Sequence, residues 1–287
     1  MNILVTGANG YLGQGIVKRL LDMGIDVKAA GTSLTETDPR AERYEADIFS
    51  IEDPYEYFGR PDRILHLAWR NGFRHGAVSH MEELPKHYRF LRKLIMGADE
   101  SGDGIKHVAV MGSMHEVGFH EGAVDENTPE NPHSLYGISK NALRQSIELL
   151  KEESVFKEKE GFVLQWLRGY YIVGNTDYGC SIFSKLTEAA KRGDSSFPFT
   201  SGQNEYDFLD YDEFCRQAAA AVTQQEINGI INLCSGRPEK LGSRVERFIT
   251  ENGFDIKLDY GAFPDRPYDS KCIWGDNTKI QNILKSL

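Results

Sequence analysis

Three glycines, Gly7, Gly10 and Gly13, lie where the first apolar segment of the chain, residues 3–5, gives way to an amphipathic one. Glycines at a strand-to-helix junction allow a tight turn, and they let the backbone N–H groups of the helix N-terminus approach an anion closely. The position of these glycines, at the first such junction, favours a binding role over a purely structural one. We therefore predict a pyrophosphate-binding turn formed by Gly7, Asn9, Gly10, Tyr11, Leu12 and Gly13.

Short β-branched segments alternate with amphipathic segments over the first half of the chain. We predict strands at residues 3–5, 27–30, 44–48, 64–68, 108–111 and 163–167, with helices between several of them, notably at 12–23, 87–96 and 139–151. Six strands with helical crossovers are typical of a doubly wound parallel sheet that is covered on both faces. The predicted fold is therefore α/β and Rossmann-like, with a dinucleotide-binding domain over residues 1–171.

The composition changes after Arg168, where glycine, serine, aspartate and aromatic residues become more frequent. Helices are predicted at residues 183–191, 211–223 and 245–251, and a strand at 230–233. We expect a smaller, discontinuous C-terminal lobe that binds substrate, made of residues 172–224 and 246–287. The segment at about 225–245 is expected to return to the first domain.

The charge balance excludes several classes of protein. The 287 residues contain 33 Lys and Arg against 43 Asp and Glu, a net charge of −10, whereas a protein that binds nucleic acid needs a basic surface. No apolar stretch approaches the length of a membrane span, and residues 1–6 lack the pattern of a signal peptide. The four cysteines form no CxxC pair. We expect a soluble, cytoplasmic protein with free thiols and without nucleic-acid or membrane partners.

His115, Glu116 and His120 lie close together in the sequence, but their separation does not match the HExxH zinc helix. No metal site is therefore expected. Glu116 is expected to serve as a cap or loop carboxylate.

The second predicted strand ends in Gly31, Thr32 and Ser33, and the first carboxylate after it is Glu36. An NAD-specific turn usually places a carboxylate at this point to hold the ribose hydroxyls. We therefore predict that NADPH is preferred, with Thr32 and Ser33 donating to its 2′-phosphate and Arg40 within reach. Use of NAD(H) stays open, because such a loop can tolerate either cofactor.

Tyr136 and Lys140 are four residues apart, which puts a phenol and an ammonium group on one helical face. A fixed cation lowers the pKa of a phenol, so the pair suits proton transfer to or from a substrate oxygen. Ser113 stands 23 residues before Tyr136, at the carboxyl end of a predicted strand, where ligands bind in such sheets. These three residues are the predicted catalytic group.

In these features the sequence resembles the extended short-chain dehydrogenase/reductase family, the NAD(P)-dependent epimerases, dehydratases and reductases of nucleotide sugars. The resemblance covers the whole chain, and its motifs occur in the family's order: TGANGYLG at 6–13, ADI at 46–48, HLAW at 66–69, Ser113, Tyr136 with Lys140, LR at 167–168, YDF at 206–208 and RPYD at 266–269. The turn GSMHEVG at 112–118 is most similar to a subgroup that reduces nucleotide-linked 4-keto-6-deoxyhexoses for surface polysaccharides.

The resemblance implies a role for each matching residue. Tyr136 would be the general acid/base, Lys140 would hold the nicotinamide ribose, and Ser113 would bind the reacting sugar oxygen. The remaining implied cofactor contacts are Asp47 and Ile48 at the adenine, and Leu67, Ala68 and Trp69 along the cofactor.

The implied substrate contacts depart from the family pattern. Tyr206 replaces an arginine that often holds the substrate diphosphate, and Tyr171 replaces an asparagine near the sugar. Arg266 matches a second diphosphate-binding arginine, and Gly112 stands where many relatives carry a serine. The resemblance therefore supports the fold and the cofactor more firmly than it supports the substrate contacts.

The function expected from the resemblance is NADPH-dependent reduction of the 4-keto group of a nucleotide-linked 6-deoxyhexose. The alternatives are an NAD-dependent nucleotide-sugar 4-epimerase and a non-catalytic NAD(P)-binding sensor. Relatives often form homodimers through the helices expected here at residues 81–98 and 136–151.

Overall fold

The computed structural model describes residues 1–97, 100–156, 161–176, 181–265 and 269–286. Its main feature is a seven-stranded parallel sheet in the order β11-β7-β5-β4-β1-β2-β3. The strands are β1 (Asn2–Thr6), β2 (Asp26–Gly31), β3 (Glu42–Glu45), β4 (Arg63–His66), β5 (His107–Ser113), β6 (Gly122–Val124), β7 (Val163–Gly169), β8 (Tyr171–Val173), β9 (Ser196–Pro198), β10 (Glu205–Asp210), β11 (Gly229–Leu233), β12 (Pro238–Lys240), β13 (Lys257–Asp259) and β14 (Cys272–Gly275).

The helices are α1 (Tyr11–Asp22), α2 (Pro54–Tyr57), α3 (Ser79–Met96), α4 (Leu135–Leu149), α5 (Ile182–Arg192), α6 (Tyr211–Thr223), α7 (Leu241–Glu251) and α8 (Thr278–Lys285). Five helices, α1, α3, α4, α6 and α8, pack in the two cores on either side of this sheet, and α5 and α7 belong to a smaller lobe. Within the described ranges, none of the helices combines the length and the apolar character needed to cross a membrane.

The alternating directions of the side chains along β1 show that the sheet separates two hydrophobic cores. Ile3 and Val5 point to the layer that contains α1, α6 and α8, whereas Leu4 points to the layer that contains α3 and α4. Successive side chains of a strand face opposite sides of a sheet, and here both sides are buried, which is why β1 is continuously apolar. The predicted Rossmann-like α/β fold is confirmed.

Two predicted elements differ from the observed ones in a way that matters for the site. The third strand ends at Glu45 instead of residue 48, because Asp47 caps a short 3-10 turn, Ile48–Ser50, that buries Ile48 without extending the sheet. Helix α4 begins at Leu135, with Ser134 as its N-cap, four residues earlier than predicted. Tyr136 therefore lies in the first turn of a helix and Lys140 in the second.

A second sheet, in the order β12-β10-β14-β6 with β8 beside β10, forms the smaller lobe together with α5 and α7. The prediction placed residues 211–223 and 278–285 in the lobe, but the two helices formed by these residues pack elsewhere. Phe214 and Ala218 of α6 and Ile280 of α8 are instead buried in the same core as Ile16 of α1. Both helices therefore cover the large sheet, and β11 returns to that sheet between them.

Candidate active site

The glycine turn is closed by backbone contacts that exclude side chains. Gly7 has φ of 69°, and its N–H donates to Ala30 O at 2.9 Å. A Cβ at Gly13 would lie 2.3 Å from Gly7 O, so the third glycine is required by the close approach of α1 to the turn. Gly10 is the N-cap of α1 and has no side chain with which to bind the first N–H groups of the helix. The turn therefore fits a pyrophosphate, because these donors can face an anion.

A tyrosine from α6 enters the first turn of α1. The Tyr211 hydroxyl accepts the Gly15 N–H at 3.1 Å and donates to Tyr11 O at 2.6 Å, so it stands between two groups that a regular helix would join directly. A Cβ at Gly15 would lie 2.7 Å from the Tyr211 hydroxyl. The Tyr11 hydroxyl donates to Gly174 O at 2.9 Å. These contacts join the predicted pyrophosphate turn to the start of the lobe, and a glycine inside a helix was the only sequence signal for them.

The loop after β2 is exposed and its arginines are ion-paired. Thr32 and Ser33, the predicted 2′-phosphate donors, are both exposed. Arg40 Nη2 lies 2.8 Å from Asp22 and 2.7 Å from Asp38, and Arg43 Nη2 lies 3.7 Å from Glu45. Arg40 is thus bound by two carboxylates, whereas Arg43, on the neighbouring strand β3, has one carboxylate at a longer distance.

The other predicted cofactor contacts border the glycine turn. Asn9 Oδ1 accepts the Glu36 N–H at 2.7 Å, which fixes the loop after β2 against the turn. The backbone N–H groups of Leu67 and Ala68 donate to Thr6, at 3.2 Å and 3.3 Å, and place the end of β4 beside β1. Asp47 is exposed and accepts the Phe49 N–H. The adenine contacts of Asp47 and Ile48 stay predictions.

The three predicted catalytic residues meet at the carboxyl end of β5. Ser113 ends β5, Tyr136 lies in the first turn of α4, and the two hydroxyl groups hydrogen-bond. Lys140 is 1% exposed, its ammonium group donates to Met111 O at 2.6 Å, and Nζ lies 3.8 Å from the centre of the Trp69 ring. The convergence of a hydroxyl, a phenol and a cation at this edge of a parallel sheet suits proton transfer to a ligand oxygen.

The electrostatics of this group differ from the expectation that Lys140 lowers the pKa of Tyr136. Burial raises the pKa of Tyr136, the charge of Glu116 raises it further, and only the hydrogen bond from Ser113 acts in the other direction. Burial lowers the pKa of Lys140 to about 7, against an opposing effect of Glu116. The raised pKa of Tyr136 means that the phenol is protonated at neutral pH.

Histidine and tryptophan rings surround Tyr136, and the sequence did not indicate this arrangement. The His75 ring is stacked on Tyr136 with ring centres 5.1 Å apart, and His115 lies 4.1 Å from His75. The Tyr136 N–H donates to His75 O at 2.9 Å, so the loop after β4 also caps the start of α4. Trp69 packs against Tyr136 edge to face at 6.2 Å. These contacts hold the phenol ring in one orientation.

The predicted substrate residues lie in the lobe. Tyr171 and Tyr206 are stacked with ring centres 4.4 Å apart, and Tyr206 is 7% exposed. The Tyr206 hydroxyl accepts a hydrogen bond from Asn204 at 3.0 Å. Arg266 lies outside the described residues. The structure thus places Tyr171 and Tyr206 side by side, while their contact with substrate stays a prediction.

Comparison with known proteins identifies the family of the chain. The sequence matches the model of the NAD dependent epimerase/dehydratase family over residues 3–234. The chain belongs to this family. It is accordingly an NAD(P)-dependent oxidoreductase, and the resemblance found in the sequence is confirmed. A curated relative in this class, the dTDP-6-deoxy-L-talose 4-dehydrogenase (NAD(+)) of Aggregatibacter actinomycetemcomitans, is 41% identical over 280 residues, 96% of this chain and 99% of the relative.

Solved structures of the family show the same fold at lower identity. The UDP-glucuronic acid 4-epimerase of Bacillus cereus, in complex with UDP-glucuronic acid and NAD, aligns with a TM-score of 0.80 at 19% identity and covers 99% of this chain and 93% of its own. The UDP-glucose 4-epimerase of Thermotoga maritima, with UDP-glucose, aligns with a TM-score of 0.79 at 21% identity and covers 98% and 92%.

Proposed function

We propose that this protein reduces the 4-keto group of a nucleotide-linked 6-deoxyhexose to a hydroxyl group. The observation that carries the proposal is the convergence of Ser113, Tyr136 and Lys140 at the carboxyl end of β5. The 41% identity, over nearly the full length of both chains, to an enzyme named for oxidoreduction at C4 of a dTDP-6-deoxyhexose supports the substrate class.

The mechanism assigns one step to each side chain. Ser113 hydrogen-bonds the substrate C4 oxygen and orients the carbonyl group. Tyr136 gives its phenolic proton to that oxygen as the C–O bond becomes single, and Lys140 stabilises the negative charge that develops on the oxygen and the phenolate. The glycine turn and Lys140 would hold the dinucleotide, whose dihydronicotinamide would supply the hydride to C4. The proton and the hydride together convert the ketone to the secondary alcohol.

The protonated form of Tyr136 is the form that reduction requires. Burial and Glu116 raise the pKa of Tyr136, and a protonated phenol can donate but cannot act as a base. A 4-epimerase needs both directions in each turnover, first removing a proton from the 4-hydroxyl group and then returning it. The same three residues can support that cycle, so the epimerase is the second candidate function.

The loop after β2 supports NAD(H) in place of the NADPH predicted from its sequence. A 2′-phosphate carries up to two negative charges and needs a cation that is not already neutralised. Arg40 is held by Asp22 and Asp38, and Arg43 by Glu45. The relative at 41% identity is also named for NAD(+). We therefore propose NADH as the better hydride donor.

The decisive experiment incubates the purified protein with NADH or NADPH and a panel of dTDP-, CDP- and GDP-4-keto-6-deoxyhexoses, and follows absorbance at 340 nm. We expect stoichiometric oxidation of NADH with at least one dTDP-sugar and a lower kcat/KM with NADPH. Interconversion of C4 epimers without net cofactor consumption would favour the epimerase. Cofactor binding without turnover of any sugar would support the sensor and overturn the reductase.

A further inference from the structure

Glu116 is a fully buried carboxylate that the proposed reaction does not use directly. It ends a short 3-10 turn, Met114–Glu116, and forms a capping box with Ser113, which confirms the expected cap. Its Oε1 atom accepts the Ser113 N–H at 2.6 Å, and its Oε2 atom accepts the Trp166 indole N–H at 2.8 Å. Glu116 and Trp166 are both 0% exposed. The carboxylate is therefore far more buried than a cap requires.

The neighbouring residues fit this carboxylate specifically. A Cβ at Gly112 would lie 2.1 Å from Trp166 Nε1 and 2.8 Å from Glu116 Oε1. The serine that many relatives carry at this position would collide with the pair. Gly112 is thus explained by the space that the Glu116–Trp166 hydrogen bond occupies, and the three residues depend on one another.

The charge of Glu116 is balanced inside the protein by an arginine. Arg168 is 0% exposed, and its Nη2 lies 3.4 Å from Glu116 and 2.7 Å from Glu130. Burial raises the pKa of Glu116 above its ordinary value, and Arg168 and the two N–H donors offset only part of this effect. Both carboxylate oxygens of Glu116 accept hydrogen bonds from N–H groups. If Glu116 were protonated, its acidic proton would point at one of these donors instead of at an acceptor. The ionised carboxylate is the form that fits these neighbours.

We propose that Glu116 is a positioning residue for the reaction: it fixes the backbone of Ser113 and places a buried negative charge beside the Tyr136–Lys140 pair. The inference deepens the proposed reductase function and rests on it for its kinetic part. The backbone of Ser113 is then held by β5 on one side and by Glu116 on the other. These contacts fix the position of the Ser113 hydroxyl group. The buried charge acts on the two proton-transferring groups without contacting substrate.

The sign of the electrostatic effect follows from the groups around Lys140. The charged and titratable groups around Lys140 come from four elements and the turn after β5: Tyr136 on α4 itself, Glu116 in that turn, Arg168 on β7 with Glu130 beyond it, His66 on β4 and His87 on α3. Burial and the charge of Lys140 lower the pKa of both histidines, so they are neutral and add no charge at neutral pH. Glu116 raises the pKa of Lys140, whereas burial lowers it. Loss of the Glu116 charge therefore favours the neutral amine, and Lys140 would lose its proton at a lower pH.

The test is an NMR titration of Lys140 in protein labelled with 13C at the lysine ε-carbon, with the Lys140 signal assigned by its loss in Lys140→Met. We expect Glu116→Gln to move the Lys140 midpoint to lower pH. With an active sugar nucleotide we also expect kcat to fall at least about tenfold, while KM changes less than about threefold, since substrate binding groups are untouched.

Two further variants separate charge from geometry. Glu130→Gln makes the same chemical change to the other carboxylate on Arg168, and we expect it to leave the Lys140 midpoint unchanged. Glu116→Asp keeps the charge but withdraws it from Ser113, so we expect a midpoint near that of the wild type with a lowered kcat. If circular dichroism shows that Glu116→Gln does not fold, the kcat of Glu116→Asp tests the proposal instead.

An unchanged Lys140 midpoint in Glu116→Gln, or a wild-type kcat in Glu116→Asp, would overturn the proposal. Failure of the wild-type protein to reduce any sugar nucleotide is a different result, because it contradicts the proposed function. The NMR titration needs no substrate, so in that case it still decides whether Glu116 controls the charge of Lys140.

Discussion

The two ends of the proposed cofactor site differ in burial. At the catalytic end, Lys140 is 1% exposed, Ser113 is 8% exposed, and the neighbouring Glu116 carboxylate is 0% exposed. At the opposite end, Thr32 and Ser33 are exposed, and the contacts that shape the site are made by the backbone of the glycine turn. One end is therefore organised by side-chain charges and the other by main-chain geometry.

This difference decides which substitutions should matter. Charges that are removed from water interact strongly, so a single carboxylate such as Glu116 can change the protonation of its neighbours. Exposed ion pairs such as that of Arg40 with Asp38 are screened by solvent and contribute little to stability. Steric fit dominates in the glycine turn, because backbone atoms cannot move aside as a flexible side chain can. Four predictions test this contrast.

The largest effect is expected for Tyr136→Phe, which removes the proton donor from the buried end and leaves its ring. We expect kcat for ketone reduction to fall by about a thousandfold, with NADH affinity and thermal stability unchanged. Steady-state kinetics and a fluorescence titration with NADH measure the two quantities. Tyr57→Phe is the matched control, because Tyr57 is 48% exposed and distant in the chain from the catalytic group. A Tyr136→Phe enzyme that retains most of its activity would show that another group donates the proton.

Gly13→Ala tests the glycine turn, where steric fit is expected to dominate. The added Cβ would lie 2.3 Å from Gly7 O and 2.6 Å from Ala8 O, and relieving these contacts must open the turn. Overpacking of this kind costs about 1–3 kcal/mol, so we expect the Kd for NADH to rise by roughly ten- to a hundredfold. Gly161→Ala is the control, since a Cβ at Gly161 would meet nothing within 4 Å in the described structure. Equal affinities for the two variants would contradict a tight turn around the pyrophosphate.

Buried histidines, both at the catalytic end and elsewhere in the large sheet, should make the protein sensitive to acid. Burial lowers the pKa of His66 and of His115 to about 3, and that of His107 to about 4. These histidines remain neutral in the folded protein when the unfolded chain takes up protons, below about pH 6.5. The contribution of these histidines to the free energy of unfolding is fully present above that pH. It is lost as the pH falls toward the pKa values of the folded protein, by about 1.4 kcal/mol per pH unit for each histidine.

Urea unfolding between pH 7.5 and 5 measures this loss. We expect stability to be nearly constant above about pH 6.5 and to decrease below it, and His107→Asn to reduce the slope below that pH by the equivalent of one proton. His107 suits this comparison because it binds Gln165 at 2.9 Å, away from the catalytic group. A stability that does not change with pH would mean that the histidines are accessible to water.

Local patterns in the sequence predicted the turn glycines, the Tyr136–Lys140 spacing and most strands of the large sheet. Contacts between distant residues were not predictable in this way. The Tyr211 hydroxyl reaches Gly15 across 196 positions, and Trp166 reaches Glu116 across 50. Helix α6 was predicted at its observed bounds, Tyr211–Thr223, and assigned to the lobe, whereas its buried alanines pack in the core of the large sheet. Gly112 was noted as a departure from relatives, and only the packed indole and carboxylate explain it.

The smallest effect is expected at the exposed end, from Asp38→Asn. Asp38 binds the Arg40 guanidinium at 2.7 Å, and this contact holds the pKa of Asp38 at about 2. Removing one of the two carboxylates on Arg40 leaves part of its charge for a 2′-phosphate, and the interaction is screened by solvent. We expect the ratio of kcat/KM for NADPH to that for NADH to rise only about threefold.

Asp26→Asn, at the start of β2, makes the same charge change at the other end of the strand and should leave the ratio unchanged. An equal response of the two variants would mean that net charge, and not the release of Arg40, governs the choice of cofactor, and a change as large as that of Tyr136→Phe would remove the contrast between the two ends.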